Sequence, residues 1–114
     1  PIWLDEGFAC YQEKSRYSMA DIVLKAAIEK GNFMPLEKLS GLDLLTADND
    51  TVQLFYFESF SLVEFLLREF GREAFIHFCR NLRDKKNLEK AITLNYPFSN
   101  IEELQQSWKK YLLT

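Results

Sequence analysis

The sequence contains no long apolar run, a single histidine and only two cysteines. A helix needs about 20 consecutive apolar residues to cross a bilayer, and no stretch approaches that length. We therefore expect a soluble segment without membrane contact. Lysine and arginine are spread along the chain and the net charge is -3, so the clustered basic face that nucleic acid requires is missing. We expect no nucleic-acid partner.

The two cysteines give little sign of a disulfide framework. Cys10 and Cys79 each stand beside apolar residues at helical spacing. This pattern favours buried free thiols over a cross-link. The cellular compartment therefore stays undetermined.

What the chain does contain is enough apolar material for one core. Its 114 residues are 47% hydrophobic and 15% aromatic, which predicts a single domain over residues 1–114 and leaves too little chain for two. Apolar residues recur at intervals of three and four, and no useful strand alternation occurs. We predict an all-α fold, a compact bundle of about five to six helices.

Local signals set the expected helix bounds. The predicted elements are a helix over 3–14, one from a Ser18–Asp21 capping pair to Gly31, a central helix over 52–70, one over 74–82, a short one over 88–96, and a last one that starts at a Ser99–Glu102 capping box. Residues 32–50 are predicted to form an irregular connector with room for one short helical turn. Arg83–Lys86 is predicted to be a solvated turn.

The first thirteen residues place one acid, Glu6, inside an aromatic and apolar stretch and directly before Gly7. An ionised carboxylate in apolar surroundings is costly unless it is paired or binds a metal. The sequence offers no obvious partner for it. From spacing alone, the simplest interpretation is a carboxylate near a helix N-terminus, where the helix dipole stabilises negative charge.

The block Trp3-Leu4-Asp5-Glu6-Gly7-Phe8-Ala9, followed by Tyr11 and Glu13, resembles the third-ligand helix of the gluzincin metallopeptidases. In that group one helix supplies two zinc-binding histidines and a general-base glutamate in an H-E-x-x-H motif, and a later helix supplies a glutamate within W-L-x-E-G. The resemblance implies that Glu6 is a zinc ligand. Two imidazoles and one carboxylate leave zinc an open position for water, as catalysis requires. Gly7 would let a neighbouring helix approach closely.

The resemblance extends over nearly the whole chain, and its best overall match is the peptidase MA-like group. That group has a tyrosine-led helix ending near a glycine, then a helix, then a W-x-x-Y/F-L helix, which correspond to Tyr56–Gly71, Arg72–Leu82 and Trp108–Leu112. Related aminopeptidases carry Y-x-K-G at the position of Tyr56, and their tyrosine donates a hydrogen bond to the reaction's oxyanion. The resemblance thus implies a catalytic role for Tyr56. The alternative is a core tyrosine with a solvated hydroxyl, since the motif's glycine is Ser59 here.

The chain departs from the family in lacking H-E-x-x-H. Its one histidine, His77, has no histidine partner at i+4 and is expected to be a surface or partly buried residue of a helix. We expect the chain to be the C-terminal part of a larger peptidase MA-like catalytic domain, whose upstream part carries H-E-x-x-H and is its partner. The implied reaction is hydrolysis of a peptide or protein substrate, with zinc bound in the full-length protein. This segment alone is expected to be inactive and to hold no zinc.

Two other interpretations stay open. The chain could be a non-catalytic helical protein-interaction module in which Glu6 caps a helix or forms a salt bridge, or a degenerate relative of the peptidases. Glu58 and Glu64, on the same predicted helix as Tyr56, either edge a substrate cleft or face solvent. Asp5 either orients a metal ligand or is an exposed acid in the first helical turn.

Overall fold

A computed structural model describes residues 1–114 and contains helices but no strands, which confirms the all-α prediction. The elements are α1 (Ile2–Gln12), a 3-10 turn (Lys14–Tyr17), α2 (Ala20–Lys30), α3 (Leu36–Gly41), α4 (Asn49–Phe70), α5 (Arg72–Lys85), α6 (Leu88–Asn95) and α7 (Ile101–Leu113). The short turn foreseen in the connector is α3, which brings the number of α-helices to seven. None of the helices is both long and apolar enough to cross a membrane.

The longest helix, α4, forms the centre of the bundle. Phe55, Leu62, Val63 and Leu66 of this helix are completely buried, as expected for a helix that is covered on most sides. Helices α1, α2, α5 and α7 all pack against it. The central helix predicted from the sequence is therefore correct in position and in role.

Two buried tryptophans tie outer helices to the rest of the bundle. The indole Nε1–H of Trp3 donates to Oγ of Ser40 at 2.9 Å, and that of Trp108 donates to Oγ of Ser61 at 3.0 Å. Both rings are fully buried, so each N–H needs an internal acceptor. These bonds fix α1 to α3 and α7 to α4.

The segment between α2 and α3 is held by two buried side-chain acceptors. Oε2 of Glu58 accepts the Met34 N–H at 2.8 Å, and Oε1 of Gln105 accepts the Leu36 N–H at 2.8 Å. Glu58 is fully buried, so the expectation that it edges a cleft or faces solvent is wrong. Burial raises the pKa of Glu58 from its usual value of 4.5 to about 8, although the bond from Met34 opposes the rise.

The predicted cap of α2 is wrong. Ser18 has φ -59° and ψ -23°, and α2 begins after Met19 with no side-chain capping bond. A capping serine needs extended backbone angles, but the 3-10 turn before it holds Ser18 in a helical conformation. The Ser18 hydroxyl therefore accepts no hydrogen bond from the first turn of α2. Asp21 is an acidic residue of that first turn and not part of a capping pair.

The capping box of α7 lies one residue later than predicted. Asn100, and not Ser99, is the N-cap, and its Oδ1 accepts the N–H of Glu103 at 2.9 Å. Glu103, and not Glu102, reaches back to accept the Ser99 N–H. Asparagine caps helices as well as serine does, so two overlapping boxes existed in the sequence and the later one forms.

The basic run after Leu82 is helical for most of its length. Helix α5 continues through Arg83, Asp84 and Lys85, and only Lys86 leaves it with a left-handed φ of 53°. Basic side chains stabilise the last turn of a helix because its carbonyl end is negative. The prediction of a turn at Arg83–Lys86 is therefore wrong, whereas the prediction that these residues are exposed to solvent is correct.

Replacement of Glu58 by Gln is expected to flatten the pH dependence of stability. Because burial raises the folded-state pKa of Glu58 to about 8, the folded chain keeps a proton that the unfolded chain loses above its usual value of 4.5. Its stabilising contribution is therefore complete below that value and is lost as pH rises towards 8. Through this one group the free energy of unfolding changes by at most about 1.4 kcal/mol per pH unit.

Chemical denaturation at about pH 5, 7 and 9 measures this effect. Glu69→Gln is the matched control, since Glu69 is an exposed glutamate of the same helix. Wild type and Glu58→Gln should diverge as the pH rises, while the control follows wild type. Parallel curves for all three proteins would contradict a buried, protonated Glu58.

Candidate functional site

Glu6 lies on a flank of α1 that no other helix of the chain covers completely. Trp3, Leu4, Gly7 and Cys10 are the buried residues of this helix, whereas Glu6 is half-buried. Its carboxylate forms no hydrogen bond and no ion pair, since both ion pairs of the chain involve other acids. The salt-bridge interpretation of Glu6 therefore fails within residues 1–114, and the carboxylate is available to an external partner.

The residue after it, Gly7, forms the closest contact between α1 and α4. A Cβ atom on Gly7 would lie 2.8 Å from the carbonyl carbon of Ser59 and 2.8 Å from Cγ2 of Val63. No side chain fits at such distances, so only glycine permits this crossing. The expectation that Gly7 allows close helix approach is confirmed, and it fixes where Glu6 lies relative to α4.

Tyr56 lies on the same face of α4 as Ser59, one helical turn earlier, and its side chain is half-buried. Burial raises the pKa of Tyr56, and the nearby negative charge of Glu6 raises it further. The phenol is therefore protonated across the neutral range. The structure thus brings the two sequence-predicted site residues, Glu6 and Tyr56, into one neighbourhood at the α1–α4 crossing.

Cys10 closes one side of this neighbourhood as a neutral thiol. Its Sγ–H donates to the hydroxyl of Tyr17 at 3.0 Å, and burial raises the pKa of Cys10 above its usual value. The hydrogen-bonded contact between the two side chains, followed by burial, raises the pKa of Tyr17 to about 12. Both Cys10 and Cys79 are free, as predicted. The Cys10 thiol is thus engaged with Tyr17, and no group of three metal-binding side chains forms around it.

The other candidate residues lie elsewhere. Glu58 is two positions from Tyr56, about 200° around the helix, and binds the Met34 N–H on the far side of α4. Glu64 lies in a shallow recess beside α2, His77 is exposed on α5, and Asp5 is exposed on another side of α1. No three His, Cys, Asp or Glu side chains of the chain lie close enough together to hold a metal ion.

A comparison with family models decides the ancestry of this arrangement. The model described as Peptidase MA superfamily matches residues 1–114. The chain belongs to the Peptidase MA superfamily. No curated protein and no solved structure matches it significantly.

Membership of the Peptidase MA superfamily makes the chain a peptidase-like helical domain. Peptidases of this superfamily are generally zinc-dependent. Glu6 fits such chemistry as one oxygen donor, because its carboxylate is half-exposed and has no partner in the chain. The role of Glu6 as a metal ligand, which the W-L-D-E-G block implies, stays a prediction. No local sequence signal indicates that Val63 packs against Gly7, because the two residues are far apart in the chain.

Gly7→Ala should destabilise the chain by about 1–3 kcal/mol, because the added methyl group would overlap the Ser59 carbonyl and the Val63 side chain. Gly41→Ala is the matched control. Gly41 is also helical but has open space around it, so alanine should leave stability unchanged or raise it by up to about 1 kcal/mol. Urea unfolding of the three proteins measures both values. A Gly7→Ala chain as stable as wild type would show that α1 and α4 do not cross this closely.

Proposed function

We propose that this chain is the C-terminal helical subdomain of a zinc-dependent peptidase and contributes Glu6 as the third protein ligand. The observation that carries the proposal is a carboxylate without an internal partner, held in a W-L-D-E-G helix of a Peptidase MA superfamily chain. An upstream part of the same protein would supply the two histidines and the general base of H-E-x-x-H. Residues 1–114 would form one wall of the substrate cleft.

The donor set explains the chemistry of the proposed site. Two imidazole nitrogens and the Glu6 carboxylate would hold a zinc ion and leave its fourth position open to water, and the bound ion would supply activated water for attack on a peptide carbonyl. The chain's own part is to hold the Glu6 carboxylate in place. The glycine contact between α1 and α4 does so without a flexible side chain at the crossing. Such rigidity keeps a ligand in position before the metal binds.

Tyr56 has a second role in the proposed mechanism. Its raised pKa keeps the hydroxyl protonated, so the phenol can donate a hydrogen bond. Directed at the oxygen of the substrate carbonyl, that bond would stabilise the negative charge that develops when water attacks. Its half-buried ring lies edge-on to Phe55, with the ring centroids 5.4 Å apart, and this packing limits movement of the hydroxyl.

Glu6→Gln in the full-length protein should lower bound zinc to a small fraction of the wild-type content and abolish peptide hydrolysis. An amide is a much weaker zinc ligand than a carboxylate, while its shape preserves the packing of α1. The matched control is Glu13→Gln, which removes an equal charge farther along the chain and breaks only the exposed ion pair with Arg16. Metal analysis and a fluorogenic peptide library provide the two readings.

The outcome separates this proposal from its alternative, a degenerate relative that serves as an interaction module. Zinc bound by wild type and lost only in Glu6→Gln supports the ligand role. Undiminished zinc and hydrolysis in Glu6→Gln would overturn it. A wild-type protein that holds no zinc, together with an upstream sequence without two histidines at i and i+4, would leave only the module.

Tyr56→Phe in the full-length protein should lower kcat by about 10²–10³-fold and leave zinc content and KM nearly unchanged, since the hydroxyl acts mainly on the transition state. Tyr111→Phe is the control, because Tyr111 is another half-buried tyrosine and packs 5.0 Å from Phe65 outside the proposed site. Steady-state kinetics on one peptide substrate compares the variants. An unchanged kcat for Tyr56→Phe would remove Tyr56 from the mechanism.

A further inference from the structure

A large groove runs between α1 and α5, away from Glu6. Its cavity volume is about 1450 Å³, and Leu4, Phe8, Phe75 and Ile76 form its apolar floor. Glu6 is two positions from both Leu4 and Phe8, which places it on the opposite side of α1. The groove is thus a second surface, and its role does not depend on the zinc proposal.

The floor of the groove leaves large apolar side chains accessible. Phe8 is 45% exposed and Ile76 is 38% exposed, while the ring of Phe8 stacks on Phe75 with centroids 6.0 Å apart. Scattered exposed apolar residues are ordinary, but a concave cluster of them is typical of an interaction site. The floor therefore offers anchoring positions for apolar side chains of a partner.

One rim of the groove is strongly basic. Arg72, Arg80, Arg83 and Lys86 line it, against the single acid Asp5, although the whole chain carries a net charge of -3. Only Arg83 has an ion-pair partner, the neighbouring Asp84 at 3.2 Å. Spacings of 8 and 11 residues place Arg80 and Arg83 on the same face of α5 as Arg72, and Lys86 follows directly after the last residue of that helix. The groove thus attracts negative charge although the chain as a whole repels it.

The dimensions of the groove favour a helix as its occupant. Helix α1 has 11 residues and α5 has 14. At 1.5 Å per residue these walls are about 16 and 21 Å long, which matches three to four turns of a third helix. Pockets for small molecules usually enclose about 300–1,000 Å³, less than this groove. An apolar floor between two helices is the usual receptor for the apolar face of an amphipathic helix.

We propose that the α1–α5 groove binds an acidic amphipathic helix of a partner protein. Its apolar face would pack on Phe8, Phe75 and Ile76, and its carboxylates would pair with Arg72, Arg80 and Lys86. Shape selects a helix of limited length, and charge selects an acidic one. The inference concerns a recognition surface only and holds whether or not Glu6 binds a metal.

Three synthetic helical peptides of about 16 residues test this on the full-length protein. The first has leucines at i, i+3, i+4 and i+7 with glutamates on both flanks, the second replaces the glutamates by lysines, and the third scrambles the first. Isothermal titration or fluorescence anisotropy should show saturable binding of the first peptide only. That binding should weaken as salt is raised, because exposed charge pairs are screened.

Charge-reversal variants locate the binding site. The double variant Arg80→Glu/Lys86→Glu should weaken the acidic peptide at least about tenfold, since attraction at the rim becomes repulsion. Lys25→Glu/Lys110→Glu is the matched control, because both lysines are exposed on other helices, and it should change the affinity less than about threefold. Phe8→Ala should also weaken binding through loss of the aromatic anchor. Thermal unfolding by circular dichroism confirms that each variant is folded.

Several results would overturn the proposal. Equal affinity for the acidic and basic peptides would refute charge selection, and equal affinity for the scrambled peptide would refute recognition of the apolar face. An Arg80→Glu/Lys86→Glu variant that binds the acidic peptide as tightly as wild type would show that the peptide does not bind in this groove. Binding of vesicles containing anionic phospholipid, without binding of any peptide, would assign the groove to a membrane surface instead.

Discussion

The contact between Gly7 and the Ser59–Val63 turn of α4 determines how the whole N-terminal helix is placed. With no Cβ at Gly7, α1 approaches the α4 backbone more closely than any larger residue would allow. That approach buries Trp3 and Cys10 and leaves Glu6 on the flank beside Tyr56. One small residue therefore decides both the packing of the helix and the place of its unpartnered acid.

Glu58 and Glu6 show how position decides the role of a carboxyl group. Glu58 is fully enclosed and accepts a backbone N–H, and burial raises its pKa to about 8, so it acts as a largely neutral structural acceptor. Glu6 keeps access to solvent and has no partner in the chain. Only the environment of Glu6 suits a carboxylate that is proposed to bind a zinc ion.

Much of this was readable from the sequence, because local patterns dictate local structure. The helices, the central position of α4, the free thiols and the W-L-D-E-G block were predicted from residues near one another in the chain. The predicted caps failed for two reasons: a 3-10 turn holds Ser18 in a helical conformation, and two capping signals overlap at Ser99 and Asn100. Glu58 was misjudged because Met34, which covers it, is 24 residues away. The α1–α5 groove was missed for the same reason, since neither helix reveals its neighbour.

The central claim is that the α1–α4 crossing presents Glu6 to a zinc ion, and diffraction from crystals of the full-length protein grown with zinc tests it most directly. Anomalous signal at the zinc absorption edge locates the metal independently of any assumed site. The account predicts a Glu6 carboxylate oxygen at about 2.0–2.2 Å from zinc, with the Tyr56 hydroxyl facing the same cleft. Zinc held by other residues, with Glu6 directed into solvent, would contradict it.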